Sequence, residues 1–258
     1  MKRLKKYGQH FLEDPAAAAR IAAALETVPG DHIVEVGPGA GMLTGYLAQQ
    51  PFARLQLVEL DPRWAAFLRE RYEGRAGIEV HNADILKYDF PKEGRPVRLA
   101  GNIPYYITSP LLFRMLDNHR HIRRAVLMVQ KEVAQRLTAG CGNRDYGITT
   151  VFLAAFGRAE KLFDIGREHF RPVPGVDSSV IRIDFDRTPD DIENYEMFTR
   201  LVRGTFQTRR KKLKNSIERL TGPEVAARIR SVDLNRRPEE LSPERFRTLA
   251  NEVYRLSR

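Results

Sequence analysis

The stretch Ile33–Thr44, reading IVEVGPGAGMLT, constrains this chain more than any other. A β-branched run (Ile33, Val34, Val36) stops at Gly37-Pro38-Gly39-Ala40-Gly41 and gives way at Met42 to a helical pattern. That is the strand, tight loop and helix of a nucleotide-binding βα unit, with glycines that let main-chain N–H groups approach a ligand. The next β-like run (Leu55, Leu57, Val58) closes on Glu59, where such folds place a carboxylate for ribose hydroxyls. A dinucleotide fingerprint would need its third glycine at position 42, which is methionine, whereas the loop has glycines at 37, 39 and 41. The spacing suits S-adenosylmethionine better than NAD. A Gly-rich turn without a ligand is the plain alternative, and only the motifs downstream weaken it.

At 258 residues the chain has room for one α/β domain and a small appendage. No apolar run approaches the roughly 18 residues of a membrane span, so no membrane partner is expected. The basic start, Lys2, Arg3, Lys5 and Lys6, is followed by Gly8, Gln9, His10, Glu13 and Asp14 where a signal peptide would be apolar. It reads as a basic arm whose Tyr7, His10 and Phe11 could meet bases while its cations meet phosphates. Cys141 is the only cysteine, which excludes an internal disulfide and a multi-cysteine zinc site and fits a cytoplasmic location. The net charge of +10 favours a polyanionic partner, and residues 187–258 hold 17 Lys+Arg against 11 Asp+Glu, more than half of the excess.

Strand candidates near 32–36, 55–59, 77–81, 97–101 and 124–129 alternate with helix-length segments, the pattern of a parallel α/β sheet. Asp14 and Pro15 open a helix candidate to Leu25, and 108–118 and Lys131–Leu137 are two more. Asp84 follows the third strand, at an edge where a carboxylate can accept from an adenine amino group; capping the next turn is its ordinary role. Asn102-Ile103-Pro104-Tyr105 follows the fourth. Asn102 offers an amide oxygen, Pro104 stiffens the segment and turns its carbonyls outward, and Tyr105 adds a flat face, which together suit the exocyclic amine of a nucleobase. Phe170, on the proline-rich loop to Val180, could complete a sandwich around the base. Residues 148–156 are apolar and fit either a buried helix or a strand. From Thr188 the pattern is helical, with a boundary at 186–193. This divides the chain into a catalytic domain, 1–186, and a basic helical domain, 187–258. Arg209, Arg210, Lys211, Lys212 and Lys214 form its basic centre, five cations in six positions that would wrap most of a helix and repel without a polyanion.

These motifs together resemble the ribosomal RNA small-subunit adenine dimethyltransferase family of the KsgA/RsmA type. The resemblance spans nearly the whole chain: Gly8-Gln9-His10-Phe11-Leu12, the glycine loop, Val58-Glu59-Leu60-Asp61, Asn102 to Tyr105, Met128 to Ala134, Phe170 to Val180, Arg209-Arg210-Lys211, and Arg237 to Ser242. It implies a class I (Rossmann-like) methyltransferase fold with a helical C-terminal domain, acting as a monomer. It also implies S-adenosylmethionine contacts at His10, Leu12, Gly37, Glu59, Asp84 and Asn102, to which the loop adds Gly39 and Gly41, and target-adenine contacts at Asn102, Tyr105 and Phe170. Its substrate would be two adjacent adenines in a hairpin near the 3′ end of small-subunit (16S) ribosomal RNA, met in the pre-assembled small subunit, each taken to N6,N6-dimethyladenine. No metal enters this reading. Tyr106 stands where many relatives carry Asn. The alternatives are a resistance-type methyltransferase of large-subunit RNA and a non-catalytic ribosome-assembly factor; a nicotinamide-dependent oxidoreductase is more distant.

Overall fold

The computed structural model describes residues 10–258; the expected basic arm, Lys2 to Tyr7, lies outside the described residues. The chain divides into two units, one of Met1–Ala134 with Ala159–Asp186 and one of Gln135–Arg158 with Arg187–Arg258.

The first unit is built on nine strands: β1 (Phe11–Leu12), β2 (His32–Val36), β3 (Arg54–Glu59), β4 (Ile78–Asn82), β5 (Val97–Asn102), β6 (Ile122–Gln130), β7 (Arg158–Ile165), β8 (Phe170–Arg171) and β9 (Ser178–Asp184). Seven form one sheet in the order β4-β3-β2-β5-β6-β9-β7, while β1 and β8 pair separately. Every pair from β4 across to β6 is parallel, and β9 joins β6 antiparallel. The chain steps outward from β2 to β4 on one side, then returns to β5 and steps outward on the other. The reversal opens a crevice at the carboxyl ends of β2 and β5, the place where open α/β sheets bind ligands. Gly37 leaves the first of these strands and Asn102 ends the second.

Helices α1 (Pro15–Ala24), α2 (Met42–Leu47) and α3 (Pro62–Arg71) follow β1, β2 and β3. Asp14 caps α1 by accepting from the N–H groups of Ala16 and Ala17, and Asp61 caps α3 through Arg63 N–H, each with proline at the first helical position. Ile21, Leu47, Leu57, Leu68, Val126 and Met128 lie in one buried cluster. Burying a Leu or Ile of this kind is worth about 1.5–3 kcal/mol, so the sheet holds the crevice walls firmly. Helices α4 (Thr108–Asp117) and α5 (Lys131–Leu137) complete the connections around β6.

The second unit is helical: α6 (Ile148–Phe156), α7 (Tyr195–Phe206), α8 (Leu213–Thr221), α9 (Pro223–Arg228) and α10 (Pro243–Leu256). It corrects two expectations. The apolar run 148–156 is helix α6, and it belongs here and not with residues 1–186. A helix apolar on nearly every side needs cover all round, which Phe152 finds edge-on against Phe198 at 5.7 Å and Phe156 against Tyr195 at the same spacing. The basic run, in turn, does not wrap a helix. Residues 207–212 form the turn between α7 and α8, and α8 begins only at Leu213, which is buried with Ser216 and Ile217. On a helix Arg209 and Lys212, or Arg210 and Lys214, would be neighbours three and four positions apart and would repel; a turn removes that stacking.

Candidate active site

Gly37 (φ +62°), Gly39 (φ +53°) and Gly41 (φ +81°) all take the left-handed conformation, which only glycine adopts without strain. Gly39 is also pressed by a neighbour, since a Cβ there would collide with the ring of Phe11. Its N–H donates to Glu59 Oε2 at 2.9 Å, while Asp61 N–H donates to Oε1 at 2.8 Å. Burial pushes the Glu59 carboxyl above the usual carboxylate range, and these two N–H groups pull the other way. Each oxygen keeps a lone pair for a further donor. Next to it, Asn82 Nδ2 donates to the Glu59 carbonyl at 2.8 Å and ties β4 to β3. Asp84 Oδ1 accepts from Leu86 N–H at 3.0 Å, so it caps its turn and still reaches the crevice.

One cleft gathers these groups. Gly37, Gly39, Glu59 and Asp84 line one part, and His10, Asn102, Pro104 and Tyr105 another. Asn102 Nδ2 donates to the His10 carbonyl at 2.6 Å, which leaves Oδ1 as the amide's remaining acceptor. The carbonyls of Pro104 and Tyr105 are taken by the N–H groups of Ile107 and Thr108 in a short 3-10 turn. Asn102 and Ile103 both line the cleft, and the amide oxygen of the first and the carbonyl of the second can accept from an incoming amine. Tyr105 is held by its hydroxyl, 3.1 Å from Ser178 Oγ, and burial raises its phenol above the usual range, so it stays neutral.

The ring of His10 stacks on Tyr105, with centroids 5.8 Å apart and planes at 23°. Its Nδ1 lies 2.8 Å from the Pro172 carbonyl, which fixes Nδ1 as the protonated nitrogen. The segment around it is a strap: Phe11 pairs with Arg171 and Leu12 with Phe170, and Glu13 N–H donates to the His169 carbonyl at 2.8 Å.

Three expected site residues stand elsewhere. Phe170 does not face Tyr105; it is 1% exposed, because its place in β8 opposite Leu12 turns it into the apolar core. Leu12 is buried in that core and does not line the cleft, consistent with the alternation that brings Phe11 to the wall instead. Gly41 starts α2 and also lies off the cleft. In the second unit Arg209 is engaged, donating to Glu239 Oε2 at 3.1 Å and to the Arg144 carbonyl at 2.9 Å. Lys212 reaches Asn235 and Lys214 lies 3.7 Å from Glu218, while Arg210 and Lys211 are exposed and form no ion pair among the described residues.

Sequence reasoning read Phe11 as an aromatic of the arm that could meet bases; the structure places it in the wall of the cleft, packed on Trp64 at 5.3 Å. It missed Glu35 in β2. This carboxyl is 1% exposed, its Oε2 takes no hydrogen bond, and burial pushes it up to about 8.

The family model described as ribosomal RNA adenine dimethylase matches residues 1–254. A ribosomal RNA small subunit methyltransferase A from Prosthecochloris aestuarii is 41% identical over 252 residues, 96% of this chain and 93% of that protein. The protein of the same name from Bacteroides fragilis is 39% identical over 255 residues, 98% and 93% of the two chains. Among solved structures, a dimethyladenosine transferase from Plasmodium falciparum superposes with a TM-score of 0.82 at 26% identity, covering 96% of this chain and 98% of that one. The 23S rRNA methyltransferase ErmE superposes at 0.75 with 30% identity, covering 95% and 99%.

Proposed function

This chain belongs to the ribosomal RNA adenine dimethylase family, and from that premise we propose how its own residues carry the family's reaction. It is a methyltransferase that modifies adenine N6 in small-subunit ribosomal RNA, giving N6,N6-dimethyladenine. S-adenosylmethionine, when bound, would supply a methyl group on a positively charged sulfur, the S–C bond giving way to the new N–C bond and leaving the neutral thioether S-adenosylhomocysteine. The crevice suits it: glycines 37 and 39 leave room for main-chain approach, Glu59 keeps acceptor capacity for ribose hydroxyls, and Asp84 stands where an adenine amine can be met.

The observation that carries the reading is the Asn102 amide, its nitrogen spent on His10 and its oxygen left at the cleft beside the Ile103 carbonyl and Tyr105. The target amine is a weak nucleophile, because its lone pair is delocalised into the ring. Two fixed acceptors draw its hydrogens, bring the nitrogen toward tetrahedral geometry and direct the lone pair along the cleft, while Tyr105 stacks on the base. The amine becomes acidic as its new N–C bond forms and releases its proton to water. We assign the phosphate grip to Arg210 and Lys211 of the second unit, with Lys212 and Lys214 in support.

Tritium transfer from labelled S-adenosylmethionine tests this directly. Label should enter adenines of unmethylated small subunits and not large-subunit RNA. Labelling of large-subunit RNA would move the chain to the resistance-type reading, and no labelling at all would favour a non-catalytic assembly role.

A further inference from the structure

Six large apolar side chains are exposed among the described residues, and four of them (Leu60, Tyr106, Val173 and Val176) belong to segments that frame the same cleft. Leu60 and Tyr106 line the cleft itself. Val173 and Val176 sit on a loop pinned at both ends: the Pro172 carbonyl meets the His10 ring, and the Ser178 hydroxyl meets the Tyr105 phenol. Exposed apolar groups scattered singly need no explanation, but a set in which two line one cleft and two ride a loop tied to its walls marks an interaction surface.

Tyr106 is the most open of the six, at 59%. It follows Tyr105 in the 3-10 turn Tyr105–Ile107, where successive side chains diverge by about 120°, so its ring cannot share the Tyr105 slot and offers a second flat face outside it. We propose that Tyr106 stacks on the nucleotide flanking the target adenine, with Leu60, Val173 and Val176 completing an apolar collar for unpaired RNA. This rests on the adenine-methylating reading above. Continuity with a cleft that takes a nucleobase, and the chain's net charge of +10, favour RNA over an apolar protein segment as the occupant. Base–aromatic stacking releases no counterions, so the collar adds affinity that salt does not weaken.

Single-turnover methyl transfer to unmethylated small subunits, measured across subunit and salt concentrations, separates the possibilities. Tyr106→Ala should raise the half-saturating subunit concentration by about tenfold, with the plot of log affinity against log salt displaced but parallel. Tyr106→Phe should stay within about twofold of the parent. The pair Val173→Ser and Val176→Ser, which leaves Tyr106 in place, should show a loss of about threefold in the same parallel manner. Calorimetry with S-adenosylhomocysteine checks that each variant has folded. An unchanged half-saturating concentration in Tyr106→Ala, a changed salt slope, or a Tyr106→Phe protein as impaired as Tyr106→Ala would overturn the proposal. Should Tyr106→Ala fail to fold, the valine pair decides it alone. A parent protein that transfers no methyl group would instead bring down the reading on which it stands.

Discussion

The two units hold their polar groups in opposite ways. At the cleft of the first, side chains are locked to main chain: Glu59 by two N–H groups, Asp84 by the Leu86 amide, Asn102 by the His10 carbonyl. Along the turn between α7 and α8 in the second, Arg210 and Lys211 stand in solvent, and Arg209 is the one cation of the run joined to a carboxylate at hydrogen-bonding distance. The contrast fits the work proposed for each charge or dipole. Aligning a lone pair requires dipoles already fixed before the substrate arrives, whereas neutralising phosphates requires only cations within reach. Rate should therefore be sensitive to the first set, and salt dependence to the second.

The sharpest attempt to break that division is Asn102→Ala, which should lower the single-turnover rate by about a hundredfold or more and leave RNA affinity nearly intact. A near-normal rate would remove Asn102 from the mechanism. Glu59→Ala comes next: calorimetry should show S-adenosylhomocysteine bound more weakly by about 1.5–3 kcal/mol, with the salt dependence of RNA binding unmoved. Neutralising Arg210 and Lys211 to glutamine should do the reverse, flattening log affinity against log salt by about 1.4 if each contact contributes a single-strand increment, with cofactor affinity unaltered. Arg209→Gln sharpens the comparison, because its guanidinium is already committed to Glu239 and the slope should hardly move.

The smallest expected effect is thermal. Glu35 is buried with its carboxyl pushed up to about 8, so the folded state keeps a proton that the unfolded chain has released above its ordinary value of 4.5. Its favourable contribution is complete below that ordinary value and is lost as pH rises through about 8. Glu35→Gln should thus melt about 5 °C higher than the parent at pH 9, where the parent must bury a charge, and gain less at pH 5. Parallel melting curves across that range would show that Glu35 is satisfied in some other way.

Much of the first unit could be read in the sequence, because a parallel strand buried on both faces leaves a β-branched run and a glycine loop leaves its spacing. Glu59, Asp84 and Asn102 each end or follow such a run, so strand prediction alone carried them to the crevice. Phe170 shows where that method stops. Its neighbours suggest a loop that presents it, but a two-residue bridge to Leu12 reverses its direction, and a pairing between such distant residues has no local signature. The same holds for His10, whose stacking on Tyr105 depends on that bridge. Helix α6 was ambiguous for a related reason: a short apolar run takes its conformation from what covers it, here the aromatic rings of α7.

The strap has a temporal consequence. The His10 ring and its carbonyl partner at Pro172 are 162 positions apart, so the first residues to be synthesised wait for their partner until nearly all of the first unit has emerged. Closing so long a loop carries an entropic cost that grows only slowly with length, and the burial of Leu12 and Phe170 in the core offsets it beside a bridge of only two residue pairs. A polypeptide halted before residue 170 would possess the glycine loop, Glu59 and the Asn102 tetrapeptide, yet would have only Asn102 and Tyr105 to meet His10, without the Phe170–Arg171 strand or the Pro172 carbonyl. In a growing chain, then, the strap that carries His10 and Phe11 to the cleft is complete only after the passage of Pro172.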